Sequence, residues 1–248
     1  MCPILFKLGP ISIYAYGTML ALAFLVVTFL LRKEASSRGI GPNLISDFCF
    51  WVLVVGIIGA RLLYVLLNIS YYLNNPLEII MLQHGGLVWY GGLFFGIVSG
   101  LYFLRRHFLG IGYILDMIAP FVALGEAIGR IGCLLNGCCY GRPSIFGLYF
   151  PVHKAVLIPT QLYWSVFLLV VFLILRIIQS RANKKLLVFF SYLMLHSLGR
   201  FFLEFLRGDS LPIFLNLNLF QLISISVFII GAIGIISRQR IPRISGRG

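Results

Sequence analysis

Long apolar runs separated by short polar segments dominate the chain. A bilayer core requires roughly 20 predominantly apolar residues per helix. Seven runs of this kind predict transmembrane helices at residues 14–32, 48–68, 85–104, 113–137, 160–178, 186–206 and 217–237. No polar linker long enough to separate two domains interrupts them. The pattern therefore predicts an all-α, polytopic membrane protein with one integral-membrane domain over residues 1–248.

The composition supports a membrane protein and argues against a nucleic-acid partner. The chain is 60% hydrophobic and 11% charged, whereas soluble domains are about 45–50% apolar and about 25% charged. The net charge of +13 would suggest nucleic acid in a soluble protein. In a membrane protein, basic residues in cytoplasmic loops explain it, so we expect no nucleic-acid partner.

The basic residues are distributed unevenly between the two sides of the predicted helices. Thirteen of the 20 lysines and arginines follow the first, third, fifth and seventh spans. The loops on the other side contain only Lys7, Arg142, Lys154 and Arg207. Cytoplasmic loops carry the excess of Lys and Arg. We therefore predict that the N-terminus is outside and the C-terminus is cytoplasmic.

Three predicted helices carry ionisable residues at membrane depth, where each is costly. These residues are Arg61, Glu126, Arg130, Arg200 and Glu204, and Arg207 follows about one turn beyond Glu204. The four-residue spacing puts Glu126 beside Arg130 and Arg200 beside Glu204 on their helix faces. Such pairs could serve only to lock helices together. Several guanidinium groups in one membrane protein instead favour a phosphate site, because they bind phosphate bidentately, and lipid headgroups supply that phosphate.

Paired glycines flank two aromatic residues in the segment GGLVWYGGLFFG. Glycine allows close approach of one backbone to another helix or to a ligand. Trp89 fits an interfacial aromatic belt, while for Tyr90 a functional role and a packing role remain equally open. Tyr16 lies at the outer end of the first span, where a belt tyrosine is also expected.

The order of the motifs resembles that of the bacterial prolipoprotein diacylglyceryl transferase family. The motifs are YGTML, GARLLY, GGLVWYGG, GRIGCLLNGCCYGR, PTQLY and RFFLEFLRGD, and they extend from about residue 10 to 235. The resemblance implies a seven-span enzyme of the bacterial cytoplasmic (inner) membrane. Such an enzyme transfers the diacylglyceryl group of phosphatidylglycerol to the lipobox cysteine thiol of a preprolipoprotein and releases glycerol-1-phosphate. It implies neither a metal nor an organic cofactor.

The resemblance also implies roles for individual residues. Arg130 and Arg200 match the two essential arginines of the family and, with Tyr90, are the expected catalytic residues. The remaining matched residues are expected to bind substrate: Tyr16, Arg61, Glu126, Asn136, Gly141, Glu204 and Arg207. In the implied mechanism the arginines stabilise the leaving phosphate, the glutamates orient the arginines, and Tyr90 donates a hydrogen bond to the headgroup.

The chain departs from the family pattern at five of these motif positions. Tyr90 replaces a histidine, Cys133 an asparagine and Cys138 an acidic residue, while Ile158 and Trp164 replace a histidine and a glutamate. The departures leave open a divergent relative acting on another acceptor. A membrane transporter is a further alternative, because intramembrane charges also mark ion pathways.

The cysteines of the segment RIGCLLNGCCYGR permit three interpretations. Cys133, Cys138 and Cys139 could be small packing residues, could include a disulfide between Cys133 and Cys138 in an oxidising compartment, or could bind a metal. A zinc site usually has four ligands, and no nearby histidine pattern supplies the fourth, because His153 is the only outer histidine close in sequence. Packing is therefore the favoured interpretation.

Overall fold

The structure, a computed structural model, describes residues 3–8, 11–81, 85–208 and 217–240. Its helices are α1 Ala15–Ser37, α2 Pro42–Leu67, α3 Ile69–Asn74, α4 Trp89–Arg106, α5 Ile111–Asn136, α6 Thr160–Arg181, α7 Leu187–Glu204 and α8 Leu219–Arg240, with a 3₁₀ helix at Pro76–Ile80. Two short antiparallel hairpins, which the sequence did not predict, pair β1 Ile4–Leu8 with β2 Ile11–Tyr14 and β3 Pro143–Phe150 with β4 Ala155–Leu157.

Each predicted apolar run coincides with a helix. In the described part of the chain, six helices are long and apolar enough to cross a membrane, namely α1, α2, α5, α6, α7 and α8. The third predicted span corresponds to α4, which has 18 residues and ends in Arg105 and Arg106. These arginines and its four glycines leave α4 less apolar than the other six helices.

The outward faces of the long helices are apolar. Phe29 on α1 is 68% exposed and Phe50 on α2 is 63% exposed. Large exposed apolar surfaces are unusual in soluble monomers and mark contact with a membrane or a partner. Together with the six apolar helices, this surface makes the chain a polytopic helical membrane protein.

The chain divides into two compact units. One contains residues 31–111, and the other contains residues 1–30 and 112–248. In the smaller unit, α2 and α4 pack backbone to backbone through glycines. A Cβ atom on Gly91 would lie 2.5 Å from the carbonyl oxygen of Gly59, and one on Gly59 would clash with the side chain of Phe95. The paired-glycine segment thus serves close helix packing. A single domain over residues 1–248 stays a prediction.

The core of the larger unit joins small residues on α5 to larger residues on α6. Ala119, Ala123 and Ala127 recur every four residues and form one buried stripe along α5. The stripe packs against apolar residues of α6 and α7, which are Trp164, Leu168, Val171, Leu175 and Val188. The small stripe lets α6 approach α5 closely at the level of Arg130.

A buried carboxylate fixes the start of α7. Asp116 on α5 accepts hydrogen bonds from the backbone N–H groups of Leu186 (2.5 Å) and Phe189 (2.8 Å). The first N–H groups of a helix have no partner within the helix, so Asp116 satisfies two of these donors from a neighbouring helix. This contact fixes the position of α7, and therefore of Arg200, along the length of α5.

Candidate functional site

Glu126 is the centre of a polar cluster that joins three helices. Its Oε1 atom lies 3.0 Å from Arg130 Nη2 and accepts a hydrogen bond of 2.7 Å from Trp164 Nε1. Its Oε2 atom accepts a hydrogen bond of 2.9 Å from His196 Nε2. The carboxylate thereby connects α5, α6 and α7. It also holds the Arg130 guanidinium, which lies 6.0 Å from the Trp164 ring centroid.

Glu204 organises a second cluster on α7. Its Oε2 atom lies 3.0 Å from Arg200 Nη2, and its Oε1 atom lies 3.7 Å from Arg207 Nε. Asn218 donates a further hydrogen bond of 3.2 Å to Oε1. The Glu204 side chain is fully buried, whereas the two arginines keep 20% and 16% of their side-chain surface exposed. The carboxylate therefore lies behind the arginines, whose guanidinium groups remain accessible.

The arginines of the two clusters meet at one pocket. Its lining residues are Arg130, Cys139, Thr160, Gln161, Trp164, Arg200, Leu203 and Arg207. Three guanidinium groups here are accompanied by two carboxylates, those of Glu126 and Glu204, which leaves one net positive charge. Arginine provides forked donors that match phosphate and carboxylate oxygens. The pocket is therefore suited to an anionic group.

The segment after α5 positions Arg207. Gly141 forms a bridge with Arg207, and the Arg142 side chain donates a hydrogen bond of 3.1 Å to the Arg207 carbonyl oxygen. A Cβ atom on Gly141 would lie 2.7 Å from the Leu206 carbonyl oxygen and 2.8 Å from the Cβ atom of Ile158. Glycine is required at this junction because three chain segments converge there.

Tyr16 packs against α5 near Arg130, and Asn136 ends that helix. A Cβ atom on Gly132 would lie 3.4 Å from both Cα and Cδ2 of Tyr16, so α1 crosses α5 two residues from Arg130. Asn136 is the last residue of α5, and its side chain hydrogen-bonds to Cys138. The family resemblance had implied substrate-binding roles for both residues, and these roles stay predictions.

The three cysteines lie together at the edge of the pocket. Hydrogen bonds from the Cys133 and Cys138 thiols lower the pKa of Cys139, and the charges of Arg130 and Arg207 act in the same direction. Burial acts in the opposite direction. The environment of Cys139 thus favours a thiolate.

Arg61 belongs to the unit of residues 31–111 and is enclosed by carbonyl groups. Its five N–H donors are matched by five backbone carbonyl oxygens at 2.5–3.2 Å, those of Glu78, Ile79, Met81, Gly85 and Gly86. The side chain is 7% exposed. The guanidinium therefore fixes the path of the segment between α3 and α4.

Tyr90 lies in the same smaller unit, in the first turn of α4, and is 52% exposed. Its ring contacts Trp89 edge to face, with 5.4 Å between centroids. The structure thus brings together the predicted site residues of α5, α7 and the segment following α5. It places Arg61 and Tyr90 in the other compact unit.

Three residues of the polar clusters were not predicted as site residues. Trp164 and His196 complete the partners of Glu126, and Asn218 adds one to Glu204. The sequence carried a signal for His196, because residues 196, 200 and 204 share one helix face. Trp164 was marked only as a departure from the family pattern, and nothing marked Asn218. The contacts of both residues depend on how separate helices pack.

The fold and the site together define a polytopic helical membrane protein with an arginine-lined, anion-compatible pocket. The prolipoprotein diacylglyceryl transferase family matches this chain over residues 3–237. Phosphatidylglycerol–prolipoprotein diacylglyceryl transferase of Clostridium tetani is 35% identical, covering 93% of this chain and 95% of its own length. The proteins of the same name from Staphylococcus carnosus and Lactiplantibacillus plantarum are 34% and 35% identical, each covering 96% of this chain and 90% and 89% of their own lengths. The chain belongs to the prolipoprotein diacylglyceryl transferase family and is a transferase.

Proposed function

We propose that this transferase moves the sn-1,2-diacylglyceryl group of phosphatidylglycerol onto the lipobox cysteine thiol of a preprolipoprotein. The names of its relatives specify these two substrates. In this chain, the observation that supports the proposal is the pocket lined by Arg130, Arg200 and Arg207. A phosphate diester is the one anionic group common to phosphatidylglycerol molecules, and three guanidinium groups provide the donors to bind it.

The reaction replaces a carbon–oxygen bond by a carbon–sulfur bond. The acceptor thiol loses its proton, and the thiolate attacks the glycerol carbon that carries the phosphate. The carbon–oxygen bond breaks, its electron pair stays on the phosphate oxygen, and glycerol-1-phosphate leaves. Negative charge therefore moves from the sulfur to the phosphate as the transition state is reached. Donors aimed at the phosphate accelerate this step, because they stabilise the charge that develops there.

Arg130 and Arg200 are proposed to bind the phosphate of the donor lipid, with Arg207 completing the site. Glu126 and Glu204 are proposed to position these arginines, since each carboxylate lies 3.0 Å from one guanidinium. A salt bridge and further hydrogen bonds hold each carboxylate in turn, so the arginines need little reorganisation when charge develops.

The other predicted site residues have supporting roles in this proposal. Gly141 pairs with Arg207 and so helps to position it. Asn136 is proposed to stabilise the loop after α5. Tyr16 is proposed to line the site beside Gly132. Tyr90 is proposed to donate a hydrogen bond to the lipid headgroup. Arg61 is proposed to contribute by fixing the segment before Tyr90.

A second candidate is a divergent transferase that uses the same lipid but another acceptor. The observation that favours it is Trp164, which stands where the family has a glutamate and contacts Glu126 at 2.7 Å. Tyr90 also replaces a histidine of the family pattern, in the paired-glycine motif that the resemblance links to catalysis. Both candidates share the phosphate site and differ only in the group that accepts the lipid.

The proposed location is the bacterial cytoplasmic membrane, with seven spans and the N-terminus outside. Counting α4 as a span gives seven crossings and places the termini on opposite sides. The basic loops after α1, α4 and α6 then face the cytoplasm, as the positive-inside rule requires. The pocket and the segment after α5 face the exterior, where preprolipoproteins emerge.

Replacement of Arg130 by alanine tests the function. We expect Arg130→Ala to lower transfer from labelled phosphatidylglycerol to a lipobox peptide by about 100- to 1,000-fold, the usual loss when one donor to a developing oxyanion is removed. Arg181→Ala, an exposed arginine at the end of α6, is the matched control and should retain full transfer.

The identity of the lipid-modified product distinguishes the lipobox cysteine from any other acceptor. Mass spectrometry should show one diacylglyceryl group on a peptide containing the lipobox cysteine and none on the same peptide with serine. Undiminished transfer by Arg130→Ala would contradict the phosphate site. Consumption of the lipid without modification of the cysteine peptide would favour the second candidate.

A further inference from the structure

Cys133, Cys138 and Cys139 form a cluster of thiols, and all three are free cysteines. Their three sulfur atoms lie within 4.8 Å of one another. Cys133 is buried and the other two are partly buried. The thiols therefore face one another rather than pointing separately into an apolar core.

The end of α5 explains how two of the sulfurs meet. The backbone N–H of Cys138 donates to the carbonyl oxygen of Cys133 at 3.1 Å, and that of Gly137 donates to Leu134 at 3.2 Å. With Gly137 at φ +78°, this is a Schellman motif. The motif characteristically brings the side chains at its first and sixth positions into contact. Both positions are cysteines in this chain.

The third cysteine is turned towards the other two by its backbone. Cys139 has φ +61°, in the left-handed region that residues other than glycine rarely adopt. Hydrogen bonds from α6 hold this conformation, because Thr160 Oγ1 donates to the Cys139 carbonyl oxygen at 2.6 Å and Gln161 Nε2 donates to that of Cys138 at 2.5 Å. The cluster is thus fixed by contacts outside the thiols themselves.

Three thiolates at this separation match the requirements of a soft metal ion. With zinc–sulfur bonds of about 2.3 Å, tetrahedral coordination puts the sulfur atoms about 3.8 Å apart. Three thiolates and one Zn²⁺ carry a net charge of −1, which the adjacent arginine pocket can compensate. A zinc ion with three protein ligands keeps a fourth position open, as catalytic zinc sites do.

We propose that Cys133, Cys138 and Cys139 bind one Zn²⁺ ion at the edge of the arginine pocket. Cys139 itself lines that pocket. The metal site does not depend on the proposed function.

The metal content of the purified full-length protein tests the site directly. We expect one zinc per chain, protection of three cysteines from alkylation, and loss of that protection after chelation. Cys133→Ser, Cys138→Ser and Cys139→Ser should each lose the zinc. Cys49→Ser, in α2, is the matched control and should keep it. Cobalt substitution of the wild-type protein should give thiolate-to-cobalt absorption, a result that requires no variant to fold.

Other outcomes would overturn the metal site. These are full alkylation of all three cysteines in zinc-loaded protein, no cobalt absorption, or a Cys133–Cys138 disulfide found by peptide mapping. Zinc binding without lipid transfer would refute the proposed function and leave the metal site intact. Lipid transfer by a protein that binds no zinc would refute the metal site and leave the proposed function intact.

Discussion

At the scale of single residues, the network around Glu126 shows how the site adapts to a substituted position. Trp164 stands where the family has a glutamate, yet its indole N–H donates to Glu126 at 2.7 Å and its ring stacks on Phe167 with 5.4 Å between centroids. The carboxylate has Arg130 and His196 as its other partners. The tryptophan therefore contributes to the position of Arg130 without carrying a charge.

Replacement of Trp164 by phenylalanine isolates this hydrogen bond. Phenylalanine keeps an aromatic ring against Phe167 but removes the donor, and hydrogen bonds to charged groups contribute about 1.5–3 kcal/mol. We expect kcat for lipid transfer to fall by about tenfold, equivalent to roughly 1.4 kcal/mol, while KM for phosphatidylglycerol changes little.

The matched control is Trp51→Phe, the same substitution at an exposed position of α2. It should leave kcat unchanged, because its indole is not part of the Glu126 network. Equal losses in the two variants would point to a general effect of tryptophan removal and against a positioning role for Trp164.

At the scale of elements, the hydrophobic runs determine where helices form, but single glycines decide how closely they pack. The predicted span at residues 85–104 and the helix Trp89–Arg106 largely coincide. Its contact with α2 depends on Gly91, where an added Cβ atom would meet backbone at 2.5 Å. Backbone atoms cannot move aside as a side chain can.

Gly91→Ala should destabilise the protein by about 1–3 kcal/mol, the usual effect of overpacking. Helix propensity alone would predict stabilisation, because alanine in a helix interior is favoured over glycine by about 1 kcal/mol. Gly96→Ala on the same helix is the control, since its Cβ atom would lie 3.8 Å from Val52 Cγ1, an ordinary contact. Thermal unfolding in detergent should show a lower Tm for Gly91→Ala only.

The sequence predicted interactions between residues that lie close together in the chain, but not those between distant segments. The pairs Glu126–Arg130 and Arg200–Glu204 are local, so four-residue spacing was enough to predict them. The arginines at membrane depth suggested a shared phosphate site, but which of them converge on one pocket depends on how separate helices pack. The enclosure of Arg61 by carbonyl groups could not be predicted, because it depends on the backbone positions of residues 78–81 and 85–86.

At the scale of the whole molecule, α4 determines on which side every later segment lies. It is the least apolar of the seven long helices, with Arg105 and Arg106 at its end. If it crosses the membrane, the loop after α5 faces outside. If it does not, every later segment is inverted, and the basic residues after α6 face the exterior, against the positive-inside rule.

Alkaline phosphatase fusions locate these segments, because the enzyme is active only outside the cytoplasm. Fusions after Asn75 and Lys154 should be active, and fusions after Ser37, Arg106 and Arg181 should be inactive. Activity of the Arg106 fusion together with inactivity of the Lys154 fusion would show that α4 does not cross. The Ser37 and Asn75 fusions precede α4 and serve as internal controls.

The carbonyl shell around Arg61 has a consequence for the energetics of α2 in the membrane. Arg61 lies within α2, yet the oxygens that bind its guanidinium come from residues 78–81 and 85–86, which are synthesised later. An arginine without partners is unfavourable in the hydrocarbon layer. The carbonyl oxygens of these later residues therefore lower the free-energy cost of keeping the Arg61 guanidinium at membrane depth.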